Sequence, residues 1–181
     1  MIYVFLANGF EETEAIAPID MLRRAKLNVK TVGVGTKTPT SSHGIQVTAD
    51  ITTEEVRLDS ELQLIVLPGG MPGTLNLKAS DTVQKAIAFC AENKIPVGAI
   101  CAAPSILGDL GLLEGREAVC FPGFEKNLLG AKVQNKLCVT DGQYTTACGA
   151  GAALAFGLEL VKVLCGTEKS EEIRRAIVAD R

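Results

Sequence analysis

The chain has 181 residues, 47% of them hydrophobic, with a net charge of −3 and a pI near 5.3. That is enough apolar material for a substantial core, an aliphatic one because tryptophan is absent, and it excludes a disordered chain. The acidic balance, with no basic cluster beyond Arg23-Arg24-Lys26, excludes nucleic acid and anionic membrane as natural partners, and no run approaches the ~18 apolar residues of a membrane span.

Ile2–Ala7 reads as a buried strand and Asn8-Gly9-Phe10 as the turn after it. A helix follows over Glu11–Ala25, with Glu11, Glu12 and Glu14 in its first turns, where acids complement the helix dipole. Pro18 inside the pattern predicts a kink or a shifted start. Positions 14, 18, 21, 22 and 25 share a face, so Glu14 tops an otherwise apolar stripe. Val29–Gly35 completes a β-α-β unit, Thr36–Ser42 is a polar loop, and Gly44–Asp50 alternates like a short edge strand or hairpin arm. Leu62–Leu67 is the next buried strand, and it ends in Pro68-Gly69-Gly70, a backbone able to approach another group closely. The helix Ser80–Asn93 opens on a Ser/Asp cap and lines up Val83, Ile87 and Cys90, which makes Cys90 a core thiol.

The apolar run Val97–Ile100 reaches Cys101, and Ala102-Ala103-Pro104 opens a helix. Small residues around the cysteine permit a tight strand-to-helix turn of the kind that lifts one side chain above the end of a sheet. The helix N-terminus just beyond it favours the thiolate. The competing reading is a cysteine buried in the core, a common fate of free thiols. Downstream, Ala118–Phe121 reads as a strand, followed by a Pro122-Gly123 break and a short helix ending near Gly130. Leu137–Thr140 and Gln143–Ala147 flank Asp141-Gly142, a hairpin signal. Cys148-Gly149-Ala150-Gly151 leads into a helix over Ala152–Cys165, with Leu154, Leu158, Val161 and Leu164 as its apolar face and Gly166 as its stop. An amphipathic helix covers about Ser170–Val178.

Alternating buried strands and helices predict an α/β fold, a doubly wound sandwich around a mostly parallel sheet. Ligands of such folds sit beyond the carboxyl ends of the strands. If the first strand, the LIVLP strand and the VGAI strand are neighbours, an acid, a pair of backbone N–H groups and a thiol converge. The first β-α turn lacks a GxGxxG fingerprint and no Walker A sequence occurs, so nucleotide binding is not expected. The six cysteines form no CxxC pair, which predicts neither a zinc site nor a thioredoxin motif, and scattered thiols without a targeting segment suit the cytoplasm. The single histidine, His43, reads as a surface residue. Without a histidine partner, activation of Cys101 falls to the helix terminus, to backbone donors and to Glu14, which helps when burial keeps it protonated and donating.

Four stretches in the same order across nearly the whole chain carry a resemblance: LANGFEETEAIAPIDMLRRA, VLPGGMPG at 66–73, AICAAPSILGDLGLLEG at 99–115, and VTDGQYTTACGAGAALAFGLELV. Together they resemble the ThiJ/PfpI superfamily, in the branch of the parkinsonism-associated protein (DJ-one) and the bacterial YajL/ThiJ proteins. The resemblance implies a flavodoxin-like sandwich forming one domain over residues 1–181, and a homodimer that uses neither cofactor nor metal. It implies glyoxalase- or deglycase-like action on small reactive carbonyls or glycated proteins, or alternatively a redox sensor or redox-regulated chaperone in the oxidative-stress response. Residue by residue, it makes Cys101 the oxidisable nucleophile, Glu14 the acid that hydrogen-bonds its sulfur, and Gly70 and Ala102 the backbone donors of an oxyanion site. The chain departs from the family pattern at four positions. A His-Pro pair of many relatives is Phe121-Pro122 here, and the histidine that the protease branch places after its nucleophile is Ala102. Cys148 stands where close relatives tend to have arginine, and His43 falls in a region where they also place one.

Overall fold

The computed structural model describes residues 1–179. Six parallel strands carry the fold: β1 (Ile2–Ala7), β2 (Val29–Val34), β3 (Ile51–Thr52), β4 (Leu64–Leu67), β5 (Val97–Ile100) and β9 (Tyr144–Ala147). The antiparallel β8 (Cys138–Asp141) pairs with β9 at one edge, so the sheet runs β3-β2-β1-β4-β5-β9-β8 among the described residues. The chain winds outward from β1 to β3, returns to pair β4 against β1, and then winds the other way. The switch point therefore lies between β1 and β4, where doubly wound sheets form their ligand crevice.

Strand periodicity builds two cores. Tyr3, Phe5 and Ala7 of β1 point to one face with Ile65, Leu67, Val97 and Ala99, while Ile2, Val4 and Leu6 point to the other with Leu64 and Val66. Helices α2 (Gly73–Ala79), α3 (Asp81–Asn93) and α4 (Pro104–Asp109) cover the first face. The second is covered by α1 (Glu12–Arg24), α5 (Ala153–Cys165) and α6 (Thr167–Ala176). Ser80 accepts from the Val83 N–H as the N-cap of α3, and Cys90 on its inner face is fully buried, as its pattern predicts.

Several elements differ from their expected form. Pro18 lies inside α1 without ending it. Gly44–Asp50 forms the hairpin arm rather than the edge strand: Thr40 bridges Gln46 antiparallel, Val47 N–H donates to the Pro39 carbonyl and Ala49 N–H to the Lys37 carbonyl, while the edge strand falls at Ile51–Thr52. Asp50 explains the shift, because its carboxylate accepts from the Thr31 N–H and hydroxyl and pairs with Arg23 at 2.8 Å, which pins the chain just before β3. Helix α2, absent from the sequence reading, buries only Gly73, Thr74 and Leu77.

The buried face of α5 is Ala153, Phe156, Gly157, Leu160 and Val161 with Leu158, while Leu154 is exposed. Gly157 sets that face. A Cβ there would lie 2.8 Å from Met21 Cγ and 2.9 Å from Pro18 Cα, so α1 and α5 pack against each other at the glycine rather than through a leucine seam. The expected strand Ala118–Phe121 shrinks to β6 (Glu117–Ala118), paired with β7 (Lys132–Val133) as a separate ribbon. Residues 119–121 instead cross toward the sheet: Val119 N–H donates to Thr146 Oγ1 and Phe121 N–H to the Cys101 carbonyl.

Candidate active site

β1, β4 and β5 are adjacent, so the three carboxyl ends singled out in the sequence meet. Cys101 follows β5 directly. Its N–H donates to the Ala147 carbonyl at 2.9 Å and its own carbonyl accepts from Phe121, so the turn is tied on both sides. It is one of the non-glycine residues with positive φ, at 65°, the left-handed region that costs an L-residue roughly 1–2 kcal/mol. This is the sharp elbow expected, and Cys101 remains partly exposed rather than entombed.

Glu14 approaches from the first turn of α1. Glu11 caps that helix, its Oε2 accepting from the Glu14 N–H at 2.6 Å, while its own N–H is held by the Gly69 carbonyl at 2.9 Å. The Glu14 side chain is 1% exposed, accepts from the Gly69 N–H at Oε2 (3.0 Å) and shares a hydrogen bond with Cys101. The Gly69-Gly70 loop after β4 makes this approach possible. A Cβ on Gly69 would lie 2.5 Å from both Cys101 Cβ and Glu14 Oε2, and Gly70 has φ 89° with no room beside Gly9 and Glu11. The backbone N–H groups of Gly70 and Ala102 face the Cys101 sulfur and favour its charged form.

Burial dominates the electrostatics. It lifts the Glu14 carboxyl from 4.5 to about 7, with the Cys101 hydrogen bond pulling the other way, Glu11 adding like charge and Gly69 partly offsetting it. Burial also pushes the Cys101 thiol up to about 12, reinforced by the charge and hydrogen bond of Glu14 and countered by the Gly70 and Ala102 donors. The thiolate preference expected from a helix terminus is therefore reversed. Helix α4 begins three residues beyond Cys101 and is six residues long, too short and distant to offset desolvation. Of the pair, Glu14 is the group that titrates near neutrality, while the sulfur keeps its proton.

His43 lies elsewhere, 69% exposed and 3.0 Å from Glu12 Oε1, a surface residue as its context predicts. The ligand atoms of Glu11, Glu12 and His43 lie within 4.8 Å of one another. Phe121 is nearer the thiol than sequence spacing alone reveals. Its ring lies 3.2 Å from the position of a Cβ on Gly149, which itself would be 3.9 Å from Glu14 Oε1. Phe121, Cys148 and Gly149 also border a cavity of about 860 Å³ beside the elbow, which no sequence motif signals. Among the described residues no helix is long and apolar enough to cross a membrane.

Comparison with known proteins follows the same lines. The sequence model described as the DJ-1/PfpI family matches residues 1–163. The chain is 34% identical to DJ-1 homolog B of Arabidopsis thaliana over 96% of its own length, yet it spans only 40% of that relative. It is 32% identical to the dj-1beta protein of Drosophila melanogaster, covering 97% of this chain and 95% of the fly protein. It is also 32% identical to a protein of Pyrococcus abyssi named a deglycase, covering 90% and 98% respectively. Among solved structures, a cysteine-to-alanine mutant of a DJ-1 superfamily protein from Salmonella typhimurium superposes with a TM-score of 0.91 at 33% identity, covering 98% of this chain and 97% of that one. An oxidised DJ-1 of Toxoplasma gondii does so at 0.89 and 29%, with the same coverage.

Proposed function

The chain belongs to the DJ-1/PfpI family, and we propose that it is a cofactor-independent cysteine enzyme acting on reactive carbonyls or early glycation adducts. The observation that carries this reading is the convergence on one sulfur of a buried carboxyl, Glu14, and two backbone donors, Gly70 and Ala102. A Pyrococcus relative named a deglycase, which this chain matches over most of both lengths, supports it. The protein works in this proposal as one domain over residues 1–181, as a homodimer in the cytoplasm, on small carbonyls or glycated proteins.

The chemistry follows from the geometry. Cys101 Sγ adds to the aldehyde carbon of a substrate R–CO–CHO, forming the C–S bond as the C=O π pair moves to oxygen. The thiol proton passes to the Glu14 carboxylate, and the N–H groups of Gly70 and Ala102 receive the oxyanion. Glu14 returns the proton to that oxygen, giving a neutral hemithioacetal. Glu14 then takes the proton from the sulfur-bearing carbon, giving an enediol, and delivers it to the adjacent carbon, while the hydroxyl proton on the sulfur-bearing carbon moves to the neighbouring oxygen and the carbonyl re-forms as a thioester. Water cleaves the thioester, regenerates the thiol and releases a 2-hydroxy acid, so the net reaction is the addition of one water molecule. Methylglyoxal turnover to lactate should vanish in Cys101→Ser; turnover that survives this change would remove the proposal.

The same donors favour a second role, as a redox sensor or redox-controlled chaperone in oxidative stress. Sulfinate oxygens on Cys101 would find the Gly70 and Ala102 N–H groups already in place, with a protonated Glu14 able to donate.

A further inference from the structure

We propose that the site is built for α-oxoaldehydes that carry a bulky, neutral, apolar substituent, aryl or branched alkyl, seated in the cavity beside Phe121. This rests on the carbonyl reading above and names its substrate class. The cavity of about 860 Å³ is lined by the two segments that tie the Cys101 turn: Cys120-Phe121-Pro122, whose Phe121 N–H holds the Cys101 carbonyl, and Cys148-Gly149-Ala150, which follows the Ala147 carbonyl that accepts the Cys101 N–H. Phe121 and Gly149 belong to both places. The Phe121 ring packs over Gly149, and Gly149 in turn neighbours the Glu14 carboxylate, so the cavity and the reacting pair share a wall.

The cavity's chemistry limits what it takes. Val119, Phe121, Val133 and Leu137 give it an apolar lining. Three of these are exposed, Phe121 at 46%, Val133 at 44% and Leu137 at 59%, so large apolar side chains face open space on the Phe121 side of the elbow. The two charged residues on its rim already have partners. Lys136 Nζ lies 3.6 Å from Glu117 Oε2, and Glu125 Oε2 accepts from the Gly123 N–H at 2.8 Å. The two are opposite in sign, and the remaining polar side chains of the lining, Gln134 and Asn135, are neutral, so the cavity offers no concentrated charge of one sign. The volume falls within the several hundred Å³ of ordinary small-molecule sites, and a methyl substituent would leave nearly all of it filled with water. An aryl group would cover the Phe121 ring and displace that water.

The experiment compares phenylglyoxal with methylglyoxal by quantifying mandelate and lactate, in wild type, Phe121→Ser and Leu137→Asn. A readout free of turnover accompanies it: the rate of Cys101 modification by N-phenylmaleimide over N-methylmaleimide, normalised to glutathione and followed by peptide mass spectrometry. Wild type should favour phenylglyoxal by at least about 10-fold in kcat/KM, mostly through KM, as expected for a pocket that reads apolar bulk. Both variants should bring that ratio and the maleimide ratio toward one. Leu137 is exposed, so its replacement tests the cavity without challenging the fold. Turnover of both aldehydes that depends on Cys101 but shows no preference, or a preference untouched by both variants, overturns this inference and leaves the carbonyl reading standing. Turnover of neither overturns both.

Discussion

Glu14 and Cys101 meet across Gly69, whose N–H donates to Glu14 Oε2 and whose missing side chain leaves the space in which carboxyl and sulfur touch. The contact joins a helix after the first strand to an elbow after the fifth, and it exists because β4, which delivers Gly69, lies between β1 and β5 in the sheet. From this relationship come both the proposed chemistry and the cost of the site.

The pH dependence of the reaction belongs to the pair rather than to the thiol. Because burial raises Glu14 to about 7, the form with a single proton shared between the two groups accumulates as pH rises through that value. The log of kcat/KM should climb with a slope near one below about 7 and then level off. Glu14→Gln should flatten the profile and lower the plateau about 10²-fold or more. A steady-state pH series measures both, and a wild-type profile that instead rises through the range of a free thiol would assign the titration to Cys101.

Stability carries the opposite signature. The Glu14 carboxyl is raised from 4.5 in the unfolded chain to about 7 in the fold, so below 4.5 both states hold the proton and nothing is lost. As pH rises from 4.5 through 7 the unfolded state releases its proton first, and the fold loses about 3 kcal/mol from this group. Urea unfolding at pH 5 and pH 8 should show a drop of that order in wild type. Glu14→Gln should lose most of the difference and be the more stable protein at pH 8.

Gly69→Ala tests the close approach. The added methyl would lie 2.5 Å from Cys101 Cβ and from Glu14 Oε2, so one of them must move. We expect a destabilisation of about 1–3 kcal/mol, typical of overpacking, and loss of the raised Glu14 pKa as the carboxyl is displaced. Thermal unfolding and the pH–rate profile together check this; an unchanged profile would mean that the loop yields instead of the pair.

Limiting peroxide should add two oxygens to Cys101 before any other thiol, each consuming one peroxide and releasing water. Cys165, exposed at the end of α5, is the internal control for access without donors, and Cys90, fully buried and pushed up to about 12 by burial, is the control for protection. Peptide mass spectrometry gives the order. Sulfinate appearing first on Cys165 would mean that access alone governs oxidation.

Where the sequence was legible, the reason was a strong local pattern. The apolar runs of β1, β4 and β5 and the punctuation Pro68-Gly69-Gly70 located the three corners, and the absence of any histidine but His43 leaves Glu14 as the acid to watch. What stayed hidden depended on packing between distant segments. The burial face of α5 is set by Gly157 against Met21 and Pro18, a small residue that hydrophobic counting passes over in favour of the exposed Leu154. Helix α2 buries too few apolar side chains to print a period. The protonated state of Cys101 is not legible because a helix terminus is visible in sequence while desolvation is not. Phe121 reaches the site only because residues 119–121 leave the ribbon and bond to Thr146 and Cys101.

The left-handed φ of Cys101 has a bearing on how this chain can change over time. Glycine, and to a lesser degree asparagine, adopts that conformation more comfortably than cysteine does. Substitutions there that relieve the backbone also erase the sulfur, so selection for robustness alone would steer position 101 away from chemistry. A lineage that keeps the thiol is one in which its use outweighs the strain, and a silent descendant carrying Cys101→Gly should be recognisable by being sturdier than its working ancestor.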